Sequence, residues 1–139
     1  MRVFIDATVP IHAAGDDHPR KAPSVAFLEA VARGEVEGVT SSRTLSELLG
    51  RCGASGHRED GLQAFDAFSL IVDEVLPIAV EDLRRSRLLL EKNPDLPARA
   101  AIDLAVMEHH GIRDIVSYDH SFGSVRGVRR HEPEEFTAR

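Results

Sequence analysis

Four carboxylates of this chain lie within or directly after apolar segments, where an unpaired charge is costly. If the fold brings them together, a divalent cation is the simplest group to pair them, because Mg²⁺ and Mn²⁺ prefer hard oxygen ligands. A bound ion of this kind can generate hydroxide and polarise a phosphoryl group, so the set predicts metal-dependent phosphodiester cleavage. The four residues are Asp6, Glu47, Asp103 and Asp119.

Asp103 is the most informative of the four on chemical grounds. Residues 100–107 contain no other charge, and Asp is a poor helix former. Its structural alternative is a salt bridge to Arg99, four residues earlier on the same predicted helix. Asp6 could instead cap the helix that follows it, although Thr8 is placed to provide that cap. For both acids the pattern favours a functional role.

Glu47 and Asp119 are less distinctive by themselves. Glu47 lies between Leu45 and Leu48 on a predicted helix, where a solvated surface position is the structural alternative. Asp119 ends the apolar segment 115–118 and could be a turn residue. The set of four acids is therefore more specific than any one of its members.

The pattern of apolar residues predicts an α/β fold, with a parallel sheet of four to five strands flanked by helices on both faces. Asp6, Thr40 and Asp119 fall at the C-terminal ends of predicted strands, the edge at which open α/β sheets build their sites. Pro77 places the third strand at an edge of the sheet or ends it. The predicted strands cover residues 2–6, 36–40, 75–78, 114–118 and 128–131. The first predicted helix begins at an N-cap on Thr8, and the third begins at a cap on Ser41 or Ser42 and fades at residues 50–56. The other predicted helices cover residues 23–33, 59–72, 80–92 and 97–111.

The composition predicts one globular domain covering residues 1–139, with 42% hydrophobic and 29% charged residues. No apolar run approaches the roughly 20 residues of a membrane-spanning helix, and no secretion signal is visible. The single Cys52 excludes an internal disulfide and suits a reducing compartment, so a cytoplasmic location is expected. The seven histidines form no zinc pattern, and neither a Gly-rich phosphate loop nor a Gly-x-Ser-x-Gly elbow is present.

The formal net charge of −6 predicts a modest and salt-sensitive affinity for nucleic acid. It does not exclude a nuclease, because a bound metal ion would contribute its own positive charge. Three local basic patches are each more typical of a solvated face than of an RNA contact; they cover residues 18–21, 84–87 and 126–130.

Three segments together resemble PIN-domain ribonucleases, and most closely the VapC-type toxins of bacterial toxin–antitoxin pairs. The resemblance covers nearly the whole chain. The last segment is the most specific, because an apolar strand, an acid such as Asp119 and a phenylalanine such as Phe122 recur in this order in the family. The segments are residues 3–8, 40–48 and 111–128.

The resemblance implies a PIN-like three-layer fold and a metal-dependent endoribonuclease that acts as a toxin. Mg²⁺ or Mn²⁺ would be the cofactor, RNA the substrate and a cognate antitoxin the partner, in a homodimer or a toxin–antitoxin hetero-oligomer without a membrane. Helices near residues 23–33 and 42–52 are the expected docking surfaces, and an antitoxin arginine could compete with the metal for the acids. By this resemblance, Asp6, Glu47 and Asp119 match metal-site positions of the family, and Thr8 matches the small polar residue beside the first acid. The hypothesis takes Asp6, Asp103 and Asp119 as the metal ligands, with Glu47 orienting water or metal.

The third acid departs from the family pattern. That acid usually lies about eleven residues before the glycine corresponding to Gly111, a position that is Ala100 in this chain, and Asp103 lies three residues later. Residues three apart share a helix face, with a displacement of about 4.5 Å along the helix, so Asp103 could bind the same ion from the next turn.

The alternative hypothesis is a catalytically weak PIN-like module that binds RNA or a protein partner. Cleavage of DNA is a third hypothesis.

Overall fold

A parallel β-sheet forms the middle layer of the computed structural model, which describes residues 1–53 and 56–137. Short 3₁₀ turns cover Arg51–Gly53 and His120–Ser124. The strands are β1 (Arg2–Ile5), β2 (Glu37–Ser41), β3 (Glu74–Leu76), β4 (Asp114–Val116) and β5 (Arg129–His131), and the helices are α1 (Thr8–Ala14), α2 (Lys21–Ala32), α3 (Ser42–Gly50), α4 (Arg58–Ile71), α5 (Val80–Lys92), α6 (Ala98–His109) and α7 (Glu134–Thr137).

The strand order is β3-β2-β1-β4-β5, so β1 is central and pairs in parallel with β2 and β4. Phe4 of β1 lies opposite Val39 on one side and Ile115 on the other. A strand buried on both faces reads as a continuous apolar run, which is why the short strands are recognisable in the sequence. β3 lies at the edge of the sheet, as Pro77 predicts.

Helices cover both faces of the sheet and give two separate cores. Phe4 and Val39 pack with the apolar residues of α5 and α6. Val3 and Ile5 point to the other face and pack with residues of α1, α2, α3 and α4. The α/β prediction with a parallel sheet and three layers is confirmed. Among the described helices, none combines the length and hydrophobicity needed to cross a membrane.

The C-terminal ends of the central strands meet at one edge. The Asp6 amide donates to the Val116 carbonyl at 3.1 Å, and Thr40 Oγ1 donates to the Ile5 carbonyl at 2.8 Å. Ser41 caps α3, as predicted, by accepting from the Thr44 amide at 3.2 Å. The predicted end of this helix at residues 50–56 includes residues 54–55, which lie outside the described residues.

The predicted capping role of Thr8 is wrong. The N-cap of α1 is Ala7, which makes no side-chain cap, and the Thr8 side chain donates its proton to Asp6 instead. The Asp6 carboxylate accepts from the Thr8 amide at 3.2 Å, so Asp6 itself satisfies an amide of the first turn. Asp6 can therefore stabilise the start of α1 and also belong to the functional site.

A charged cluster closes the opposite end of β4. The buried Asp114 accepts from Arg129 Nε at 2.9 Å and lies 2.8 Å from His131 Nε2, which also faces Glu135 through Nδ1 at 3.1 Å. Burial would raise the pKa of Asp114, but the hydrogen bonds from Arg129 and His131 outweigh it and lower that pKa. Burial would lower the pKa of His131, whereas its bonds to Asp114 and Glu135 raise it.

The His131→Gln substitution should lower the free energy of unfolding by about 0.5–1 kcal/mol near pH 5.5 and by less near pH 8.5. The raised pKa of His131 means that its contribution is complete below the ordinary value of 6.5 and is lost as the pH rises through the higher folded-state value. Asp114, with a lowered pKa, loses its contribution only as the pH falls below 3.8. Urea unfolding at both pH values measures the difference, and an equal loss at the two would contradict the pairing.

Candidate active site

Asp6 is a buried carboxylate held by three hydrogen bonds to one oxygen. Its Oδ2 accepts from the Thr8 amide, from Thr8 Oγ1 at 2.8 Å and from Ser117 Oγ at 2.7 Å. Burial raises the pKa of Asp6, and the bonds from Ser117 and Thr8 oppose that rise. Oδ1 faces the Arg43 guanidinium, with 4.0 Å between Oδ1 and Nη2. The carboxylate is therefore fixed in orientation with one oxygen directed at a cation.

Asp103 lies on α6 with 0% of its surface exposed. Ser41 Oγ donates to its Oδ1 at 2.8 Å, and Arg43 donates to its Oδ2 from Nε at 2.9 Å and from Nη2 at 2.6 Å. Burial raises the pKa of Asp103 to about 6, and the hydrogen bonds and charge of Arg43 oppose that rise. The predicted alternative, a salt bridge to Arg99, is not what the structure contains, because Arg99 pairs with Asp119.

Arg43 is the centre of this group of acids. Besides Asp103 it bonds Glu47 of the same helix, four residues on, with 2.6 Å between Nη1 and Oε1. Its side chain is only 13% exposed. Burial opposes the charge of Arg43, but the bonds to Asp103 and Glu47 raise its pKa, so the guanidinium stays charged. Three carboxylates, including Asp6, thus surround one cation of the chain itself.

Asp119 lies beside this group, but its carboxylate oxygens bond residues outside the group. Its Oδ1 accepts from Ser121 Oγ at 2.7 Å, and its Oδ2 accepts from Arg99 Nη2 at 2.6 Å. Burial would raise the pKa of Asp119, but Ser121 and Arg99 lower it. Ser117 connects it to the first acid: Ser117 Oγ accepts from the Asp119 amide at 2.9 Å and donates to Asp6. Asp119 is therefore a neighbour of the site, joined to it through one hydroxyl.

The donor set suits a hard divalent cation, although the side chains are not arranged as its ligands. Asp6, Glu47 and Asp103 already surround a single positive charge, and their oxygens are the donors that Mg²⁺ and Mn²⁺ use. In the part of the chain that the structure describes, no three His, Cys, Asp or Glu side chains converge closely enough to hold one ion. The residues fit a metal chemically, and the positive charge that they surround in this structure is that of Arg43.

Sequence reasoning missed the residues that orient the acids. Arg43 and Glu47 are an (i, i+4) pair, which the sequence does display. The reach of Arg43 to Asp103, 60 residues away, has no local signal. The role of Ser117 has no local sequence signal either, because its hydroxyl donates to Asp6, which lies 111 residues earlier in the chain.

Comparison with known proteins gives the family. Ribonuclease VapC13 of Mycobacterium tuberculosis is 37% identical over 128 residues, which are 92% of this chain and 98% of that protein. The chain belongs to the VapC ribonuclease family. A VapC ribonuclease of Mycobacterium bovis matches equally well, and ribonuclease VapC23 of M. tuberculosis is 30% identical over 122 residues, 88% of this chain and 96% of that one. A scan against models of protein families gives no match.

Solved VapC structures have the same fold at low sequence identity. The VapBC2 structure of Rickettsia felis matches with a TM-score of 0.73 and 15% identity over 95% of this chain and 98% of that one. VapC20 of M. tuberculosis, described as a toxin that cleaves the sarcin–ricin loop, matches with a TM-score of 0.67 and 20% identity over 91% and 98%. The acid group thus lies in a VapC fold, at the edge where the central parallel strands end.

Within this VapC fold, Asp103 faces the other acids. It and Ala100, the usual family position of the third acid, are both fully buried on α6, and Asp103 is the one bonded to Ser41 and Arg43 of the neighbouring segment. The assignment of Asp6, Asp103 and Asp119 as metal ligands stays a prediction.

Proposed function

We propose that this protein is a Mg²⁺- or Mn²⁺-dependent endoribonuclease that acts as the toxin of a toxin–antitoxin pair. The observation that carries the proposal is the group of three carboxylates around one cation, the buried Asp6 and Asp103 and the half-exposed Glu47, in a chain of the VapC ribonuclease family. Buried acids that gather at the C-terminal edge of a parallel sheet are unfavourable for stability alone and are typical of a site.

Each acid has a distinct part in this proposal. Asp6 and Asp103 would hold the ion, with Asp119 completing the set from its neighbouring position, and Glu47, the most exposed of the three around Arg43, would orient water. The ion would supply a bound hydroxide and polarise the phosphoryl oxygen.

Hydrogen bonds restrict the reactive carboxylates to a narrow range of orientations. Thr8 and Ser117 fix Asp6, and Ser41 fixes the Asp103 oxygen that Arg43 does not bond. A preorganised set of charges requires little rearrangement during the reaction, which is the main source of electrostatic catalysis.

Arg43 makes metal binding a competition. An ion entering among Asp6, Glu47 and Asp103 must displace a guanidinium that makes three hydrogen bonds to two of these acids. Each hydrogen bond to a charged group contributes about 1.5–3 kcal/mol, so we expect a lower apparent affinity for metal than the acids alone would have.

Purified protein should cleave single-stranded RNA internally in the presence of Mg²⁺ or Mn²⁺. Cleavage should stop in excess EDTA and return when Mn²⁺ is added beyond the chelator, because the acids cannot supply the missing positive charge. Single-stranded DNA of the same sequence is the control substrate and should stay intact. Cleavage that persists in EDTA would contradict the metal requirement.

The alternative function is a catalytically weak module that binds RNA or a protein. Arg43 favours it, because its guanidinium pairs with the acids and allows the site to fold without a metal. Protein that retains RNA without cutting it at any metal concentration, and that shows no Mn²⁺ binding, would establish this alternative.

A cognate antitoxin is the proposed partner, in a hetero-oligomer or with a homodimer of this chain. Solved relatives include VapBC of Salmonella typhimurium bound to DNA, with a TM-score of 0.70 and 19% identity. Of the helices expected to dock the antitoxin, α2 directs Phe27 and Leu28 into the core, whereas Leu49 of α3 is largely exposed. An enzyme that cleaves cellular RNA must share its compartment, so we propose that it acts in the cytoplasm.

A further inference from the structure

Aromatic and basic side chains form a stack next to the acids. The Tyr118 stack consists of His18, His12, Tyr118 and Arg20. The rings of His18 and His12 lie 4.8 Å apart, and His12 meets the Tyr118 ring edge-on at 5.3 Å between centroids. The Arg20 guanidinium lies 4.6 Å from the centroid of the Tyr118 ring. The tyrosine is held in turn by its hydroxyl, which donates to Glu134 at 2.7 Å.

The stack lies one helical turn from the first acid. Thr8, which bonds Asp6, also accepts from the Tyr118 amide at 3.0 Å. His12 follows Thr8 by four residues on α1, a rise of about 6 Å along the helix. Tyr118 directly precedes Asp119. The same short segments therefore build the acid site and the stack beside it.

Arginine charge lies at the stack, where the Glu134 carboxylate accepts from the Tyr118 hydroxyl. Burial, followed by the charges of His18, Arg20 and Arg51, lowers the pKa of His12. Arg51 follows Glu47 by four residues, at the start of the 3₁₀ turn that continues α3. Among the described residues, neither Arg20 nor Arg51 forms a salt bridge; the arginines that do are Arg2, Arg33, Arg43, Arg85, Arg87, Arg99, Arg129 and Arg130.

Other described arginines, such as Arg84 and Arg126, also form no salt bridge, so what distinguishes Arg20 and Arg51 is their place. Arg20 lies over Tyr118, which directly precedes Asp119, and Arg51 follows Glu47 by four residues. Packing over Tyr118 accounts for the position of Arg20, but among the described residues no carboxylate pairs with its charge. Arg51 is half-buried, and its charge contributes to the lowered pKa of His12.

We propose that Arg20 and Arg51 bind a phosphate of single-stranded RNA next to the phosphodiester that is cut, and that the exposed imidazole of His18 stacks on a base of that strand. Guanidinium groups match phosphate oxygens, and bases stack on aromatic rings irrespective of sequence. The inference rests on the proposed ribonuclease function, because it assigns RNA to this surface. An acidic protein segment is the other anion that could bind here, and the experiment separates the two.

The test compares the double variant Arg20→Gln/Arg51→Gln with Arg84→Gln/Arg126→Gln. Both remove two exposed or half-exposed arginines without a described salt bridge, and both change the net charge equally, but Arg84 and Arg126 belong to the other basic patches. Fluorescence anisotropy with a labelled RNA oligonucleotide is measured in EDTA, where no cleavage occurs. The first variant should bind RNA at least about tenfold more weakly, and its log–log salt slope should fall by about 0.7, the value for one lost phosphate contact on a single strand. The control variant should change little.

Cleavage kinetics distinguish binding from chemistry. The Arg20/Arg51 variant should show a higher KM with a nearly unchanged kcat and an unchanged Mn²⁺ affinity, because neither arginine touches the acids. Equal RNA affinity and salt slope in this variant and the wild type would overturn the phosphate site even if the wild type cleaves RNA. Loss of oligoglutamate binding with RNA binding intact would overturn it in favour of an acidic protein segment. A wild type that neither binds nor cleaves RNA would overturn the proposed function as well.

Discussion

Replacing Asp6 by asparagine should reduce RNA cleavage at least about 100-fold, which corresponds to about 2.7 kcal/mol of transition-state stabilisation. Asparagine keeps the shape of the side chain and an oxygen that can accept from Thr8 and Ser117, so the edge of the sheet should stay folded. The substitution removes the negative charge that faces Arg43 and would hold the ion. Cleavage rates on one RNA, at saturating Mn²⁺, measure the loss.

Asp114→Asn is the matched control for this substitution. Asp114 is about as buried as Asp6, and its strand β4 pairs directly with β1, but it lies at the N-terminal end of that strand, away from the acids. Loss of its bonds to Arg129 and His131 should lower stability while the folded fraction keeps its cleavage rate. If Asp6→Asn and Asp114→Asn lose activity equally, the effect arises from stability and not from a site.

Expression in a bacterial host provides a second test of the proposed site. The wild type should arrest growth, whereas Asp6→Asn and Asp119→Asn should not, because each removes a carboxylate of the proposed set. Comparable protein levels in each strain are the necessary control. Growth arrest that persists in both variants would show that the proposed site is not the source of toxicity.

The fold was predictable because its strands are short, apolar and buried on both faces. Helix α5 matches the predicted range 80–92 at both ends, since Val80 opens the helical pattern and Asn93-Pro94 stops it. The edge position of β3 followed from one proline. Local rules succeed here because the physical cause of each element lies within the element.

The polar contacts of the site were less predictable, because they join distant segments. Arg99 and Asp103 satisfy the local spacing rule for a helix pair, yet Asp103 turns into the core and Arg99 stays half-exposed and reaches Asp119. Two contacts outweigh that rule: Asp103 accepts from the capping Ser41 and from Arg43. A buried carboxylate needs a partner within the interior, and the sequence does not reveal which arginine supplies it.

The role of Thr8 shows a different limit. Its position before Pro10 favours a cap by local rules, but its hydroxyl is the donor for Asp6 and the acceptor for the Tyr118 amide. The hydroxyl is thus used by the site. Functional positions are where local rules most often fail, because site geometry takes precedence over local preference.

Arg43→Gln should have two opposite effects that together identify the place of the metal. Without metal, the variant should be less stable by about 3–5 kcal/mol, because the fully buried Asp103 loses its cationic partner. Its affinity for Mn²⁺ should nevertheless rise at least about tenfold, since the ion no longer competes with a positive charge a few ångströms from the same oxygens. Differential scanning fluorimetry and Mn²⁺ titration by electron paramagnetic resonance measure the two effects.

Two other substitutions test whether the effect of Arg43 depends on its charge and on its position among the acids. Arg43→Lys keeps the charge and should keep the weaker metal affinity of the wild type, though a single ammonium cannot reproduce the bonds to both Asp103 and Glu47. Arg99→Gln removes a half-exposed partner of Asp119 and should change stability by less than about 1 kcal/mol.

Added Mn²⁺ should also raise the unfolding temperature of Arg43→Gln more than that of the wild type. A ligand that binds only the folded state stabilises it according to the ratio of its concentration to Kd, so the tighter site gains more at one Mn²⁺ concentration. If the variant is folded and binds Mn²⁺ no more tightly than the wild type, then Arg43 does not occupy the metal's place. In that case the three carboxylates exist to hold the guanidinium, and the site is the weak binding module of the alternative function.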